Sequence, residues 1–96
     1  MNGHLPKNVE EEIVSLAARH GIRKVLLFGS RARGDHRECS DIDLAISGGD
    51  VLRFSLEVEE EVETLLRFDV VDLDDSVQAE LQKEIEEKGV VLYEKV

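Results

Sequence analysis

Asp41 and Asp43 stand two residues apart in Ser40-Asp41-Ile42-Asp43-Leu44, and that spacing governs what they can do together. In an extended segment, side chains at i and i+2 leave the same face, with α-carbons roughly 6 to 7 Å apart. Two carboxylates so placed can grip a hard cation. Magnesium takes oxygen ligands and is commonly held by one or two carboxylates together with substrate phosphates, so the pair suits a metal-bound triphosphate. Taken alone, Asp-x-Asp also describes solvated strand ends and turns, and its surroundings must decide.

Those surroundings include Gly29-Ser30-Arg31-Ala32-Arg33-Gly34, directly after the apolar run Val25-Leu26-Leu27-Phe28. Gly29 would let an anion approach the backbone, and amides at a helix start, with the Ser30 hydroxyl, can hydrogen-bond phosphate oxygens. Arg31 and Arg33 add positive charge. At least one of them is expected in a structural salt bridge, with Asp35 and Glu38 as local partners. The glycines are spaced as in a phosphate loop, but Asp35 stands where that motif needs lysine, and no Gly-x-Gly-x-x-Gly is present.

A third carboxylate should come from a neighbouring strand. Phe68-Asp69-Val70-Val71-Asp72-Leu73 offers Asp69 and Asp72 on opposite faces. Asp69 opens an otherwise apolar run, where a carboxylate is costly unless a cation or water is near, and is the one expected to face the site. Asp72 reads as an exposed strand-end aspartate.

Four strands and their helices would position these residues. Val9, Ile13, Leu16 and Ala17 recur at helical spacing and predict a helix from about Asn8 to His20, stopped by Gly21. Val25 to Phe28 suits a short strand covered on both faces. Ser30 is expected to cap a short helix running to Gly34, with a polar loop from Asp35 to Ser40. Ile42, Leu44 and Ile46 alternate with Asp41, Asp43 and Ala45 as in a strand. Leu52, Leu56, Val58, Val62, Leu65 and Leu66 predict a second long helix with its glutamates turned to solvent. Phe68 to Leu73 reads as a third strand, Val77 to Lys88 as a third long helix, and Val90 to Tyr93 as a last strand. That strand is expected at an exposed edge, where a second copy or a partner could pair, with Tyr93 used for packing or an interface.

Composition bounds the rest. Ninety-six residues suit one domain over 1–96, and three Phe, one Tyr and no Trp leave the core to Leu, Val, Ile and Ala. A formal net charge of −10 repels phosphate backbones and argues against polynucleotide as a direct substrate. Cys39 is alone, so no intramolecular disulfide forms, and with His4, His20 and His36 it makes no zinc spacing; His36 reads as a loop residue. No signal-peptide core or membrane-length apolar stretch occurs, and a cytoplasmic protein is expected.

Leu-Phe-Gly-Ser-x-Ala-Arg-Gly, then Ser-Asp-Ile-Asp-Leu, then Asp-Val-Val-Asp-Leu closely resembles the minimal nucleotidyltransferases of the DNA polymerase β superfamily, over Leu26 to Leu73. The resemblance implies an α+β fold in which a single mixed sheet of about four strands packs against helices, like the polymerase palm. It implies that Gly29 and Ser30 hold the triphosphate, beside which Arg33, or Arg31 in its place, is the candidate nucleotide-binding arginine, and that Asp41, Asp43 and Asp69 hold two Mg2+ ions and carry catalysis. A hydroxyl would attack the α-phosphorus of ATP or another nucleoside triphosphate in line, with pyrophosphate leaving. Larger superfamily members use a second domain for base and acceptor, so a partner would bring the acceptor here. By the same resemblance the acceptor is a tyrosine of a HEPN-type ribonuclease toxin, and the protein an antitoxin. A small-molecule nucleotidyltransferase of the aminoglycoside-modifying kind, or a non-catalytic antitoxin whose acidic helix blocks a basic toxin, are the alternatives.

Overall fold

Alternating apolar residues on three of the strands feed two cores, one on each face of a sheet. The computed structural model describes residues 5–34, 41–62, 64, 66–75 and 77–95, in the order α1 (Lys7–Arg19), β1 (Lys24–Phe28), α2 (Ser30–Arg33), β2 (Ile42–Ser47), α3 (Val51–Glu61), β3 (Phe68–Asp72), α4 (Ala79–Lys88) and β4 (Val90–Glu94). The sheet order is β3-β2-β1-β4, with β1 antiparallel to β2 and β4, and β2 parallel to β3. It is the mixed four-stranded sheet of an α+β fold, with both β3 and β4 at edges.

Val25 and Leu27 of β1 and Ile42, Leu44 and Ile46 of β2 face α1 and α3, where they pack with Val9, Ile13, Leu16, Phe54 and Val58. The opposite face is smaller. There Leu26 and Phe28 of β1, Ala45 of β2 and Val71 of β3 gather around Ile85 of α4. Burial on both sides explains why Val25 to Phe28 is an unbroken apolar run instead of an alternating one.

α1 and β1 run as the sequence predicts to within a residue or two, and Gly21, at φ 67°, turns the chain after α1. α3 departs from expectation. It ends at Glu61, and its buried residues are Phe54 and Val58, whereas Leu52 and Leu56 are 73% and 56% exposed. Phe54 and Val58 are four apart and look at the sheet, so the two leucines, each offset two residues from Phe54, fall outside that stripe. Leu65 lies outside the described residues. Asp50 accepts a bond from Arg53 N at 3.1 Å and fixes where α3 begins.

The C-terminus of α1 is tied to α3 through charge. Arg19 Nη1 reaches Glu57 Oε1 at 3.4 Å and Glu61 Oε2 at 3.2 Å, while His20 Nε2 contacts Glu57 Oε2 without a well-aligned hydrogen bond. Among the described residues, no helix is long and apolar enough to cross a membrane.

Candidate active site

The first step toward a site is the end of β1. Phe28 pairs with Asp43, and the chain then leaves the sheet at Gly29, with φ 76° and ψ −153°, to enter α2. A β-carbon at Gly29 would collide with Asp43 Oδ2 and lie 3.2 Å from the Asp43 carboxyl carbon. Glycine is therefore needed twice here, for its backbone angle and for the space an aspartate occupies. The group that approaches Gly29 is thus one of the protein's own carboxylates, a closeness that spacing in the sequence does not reveal.

Ser30 is the first residue of α2, and Gly29 occupies the cap position with no side-chain capping bond, so Ser30 does not cap the helix as the sequence suggested. A glycine cap leaves the serine inside the first turn, and Arg33 N and Gly34 N close on Gly29 O and Ser30 O. Arg31 turns inward and is only 3% exposed. Arg33 reaches across to α4, where Nη1 meets Glu84 Oε1 at 2.8 Å. A salt bridge was expected for one of the arginines, but this partner is 51 residues away in sequence. The local candidates Asp35 and Glu38, like His4, His36 and Cys39, lie outside the described residues.

Parallel pairing of β2 and β3 sets Asp43 beside Asp69 in register. Asp43 shares a face with Ala45 and Asp69 with Val71, so both carboxylates emerge on the α4 side of the sheet. Asp41 precedes β2 and is exposed. Asp72 pairs with Ile46, at the other end of the strands, and its Oδ1 accepts from Asp74 N at 2.9 Å in the turn that follows. Of the two aspartates in β3, Asp69 is the one brought to Asp43.

Burial pushes the Asp43 carboxyl above its ordinary value, and the negative charges of Asp69 and then Asp41 push it further. The Arg33 guanidinium opposes this, and Glu84 adds a smaller push upward. Negative charge from Asp41, Asp43 and Asp69 is concentrated here, which is an environment a divalent cation relieves. Among the described residues no three His, Cys, Asp or Glu side chains are gathered into a ready metal cage. The donors present fit magnesium, whose shell is usually completed by phosphate oxygens and water, better than a metal held by protein alone.

A mixed four-stranded sheet with two aspartates in register, and a glycine-serine turn against one of them, has the arrangement expected of a nucleotidyltransferase. The family model for the polymerase β nucleotidyltransferase matches residues 11–96, and the chain belongs to that family. A candidate protein adenylyltransferase of Methanocaldococcus jannaschii is 33% identical over an alignment of 58 positions that covers 54% of this chain and 62% of that protein. The chain thus spans under two thirds of that relative. A solved structure described as a candidate minimal nucleotidyltransferase is 33% identical, with a TM-score of 0.65 over 84% of this chain and 86% of that one. A toxin–antitoxin crystal structure with AMP-PNP contains a chain with the same fold, at a TM-score of 0.72 and 23% identity, over 90% of this chain and 73% of that one.

Proposed function

We propose that this protein transfers a nucleoside monophosphate, AMP in the leading reading, from a magnesium-bound triphosphate to a hydroxyl of a partner protein. The observation that carries it is the in-register pair Asp43 and Asp69, with Asp41 just ahead of β2 and Gly29 pressed against Asp43. Asp41, Asp43 and Asp69 would hold the metal ions, two in the family's scheme. When bound, they would supply charge stabilisation at the entering and leaving oxygens.

Gly29 and Ser30 present backbone amides and a hydroxyl to the triphosphate, and Arg33 adds a positive charge at the same edge. Asp69, the most open of the paired aspartates, accepts the proton of the attacking hydroxyl. A new bond forms between that oxygen and the α-phosphorus while the bond to the β-phosphate oxygen breaks, and pyrophosphate leaves. Likeness to the M. jannaschii protein supports a protein acceptor, and likeness to the toxin–antitoxin chain supports a toxin as that protein. A tyrosine of a HEPN-type toxin, in the cytoplasm, completes the reading.

Incubation with Mg2+ and α-labelled ATP, CTP, GTP or UTP plus a cell lysate tests it, with Asp41→Asn/Asp43→Asn as the comparison. Label on a protein band with the native chain and none with the variant is the expected result. A folded protein that transfers nothing, with any of the four nucleotides, would sink the enzymatic reading.

A further inference from the structure

Arg33 and Glu84 belong to different elements and meet across the sheet face that carries Asp43 and Asp69. Both side chains are more than a third exposed, so water screens the pair and it adds little to stability. What it does fix is the place of a positive charge. Arg33 ends a helix of four residues, which leaves a long side chain few neighbouring turns to rest on. Among the described residues the Glu84 carboxylate and the aspartate cluster are attractive destinations for its guanidinium, and both Arg33 and Glu84 act electrostatically on Asp43.

A guanidinium settled on Asp43 or Asp69 would occupy, with forked hydrogen bonds, the same oxygen lone pairs that a hard cation needs. We propose that Glu84 is a positioning residue that holds Arg33 off Asp43 and Asp69, keeping those carboxylates open to a divalent cation and the arginine available to phosphate. Glu84 is one of the contacts Arg33 makes, and the one that anchors it to α4. The inference rests on the metal-assisted reading of the aspartates given above.

Binding of Mn2+ alone, followed by electron paramagnetic resonance on the full chain, tests it directly. Glu84→Ala should weaken Mn2+ binding about twofold to fivefold, the scale of a partly screened charge contact. Glu84→Gln, which still accepts a hydrogen bond from Arg33, should recover part of that loss and serves if the alanine variant folds poorly. Arg33→Ala should not weaken binding, and Arg33→Ala/Glu84→Ala should return to the level of Arg33→Ala, because no guanidinium remains to collapse. Equal weakening by Glu84→Ala in both backgrounds would make Glu84 a carboxylate serving the metal itself and overturn the proposal. So would unchanged binding in Glu84→Ala and Glu84→Gln. Native protein that binds no Mn2+ would instead remove the underlying assignment of the aspartates.

Discussion

Gly29 and Asp43 share one small volume, so a change at one is felt at the other. Because a β-carbon at Gly29 would strike the Asp43 carboxylate and the backbone there has positive φ, Gly29→Ala must move either the turn or the aspartate. A displacement of about 1 Å in a positioned group can cost on the order of 100-fold in rate. Nucleotide transfer by Gly29→Ala should therefore fall by about that factor, while circular dichroism shows a folded chain. Asp43 itself carries an energetic penalty in the absence of metal. Its folded-state pKa lies above the unfolded value, so it holds its proton more tightly when folded. Its contribution favours the folded state at low pH and is lost as pH rises through the raised value. Asp43→Asn should accordingly melt at a higher temperature than the native chain at pH 7 without divalent ions. The gap should close as pH falls toward the unperturbed 3.8, and a native chain that is the more stable one at pH 7 would contradict this reading.

At the level of elements, α3 shows how an apolar residue's rotation around the helix matters more than its identity. Phe54 and Val58 are fully buried against the sheet, while Leu52 and Leu56 lie open. Phe54→Ala should lose about 3 to 5 kcal/mol by transfer and cavity formation. Leu52→Ala should change stability by no more than about 0.5 kcal/mol, as surface substitutions usually do. Urea denaturation of the two variants measures both, and similar losses would show that α3 is rotated differently. α4 performs a second kind of work. Its Ile85 seals the smaller core over Phe28 and Ala45, and the adjacent Glu84 reaches Arg33, so one turn of helix both packs the sheet and fixes a charge beside the aspartates.

Across the whole molecule, the net charge of −10 and the aspartate cluster act in the same direction, raising electrostatic repulsion in the folded state. A bound divalent cation should offset part of this. At tenfold above its dissociation constant, Mg2+ would add about 1.4 kcal/mol to stability by mass action. Thermal melts should show a rise in Tm with Mg2+ beyond that given by NaCl of equal ionic strength, and Asp43→Asn/Asp69→Asn should show only the salt effect. An equal response of native and variant chains to Mg2+ would assign the stabilisation to general screening.

The sequence alone determined the alternation in β2, the helix ending before Gly21, the glycine-serine turn after a buried strand, and the choice of Asp41 and Asp43, with an aspartate of the third strand, as the acidic candidates. These were legible because strand and helix periodicity, and turn chemistry, are local properties of the chain. Which of Asp69 and Asp72 stands beside Asp43 required the parallel register of β2 and β3, since parity places them on opposite faces without saying which face meets the site. Only the tertiary structure brought Glu84 to Arg33 across 51 residues, and set Asp43 against Gly29. Glu84 is one glutamate among several on α4, and nothing in its spacing separates it from its solvated neighbours. Long-range pairing follows from how helices pack on a twisted sheet, and local pattern does not encode it.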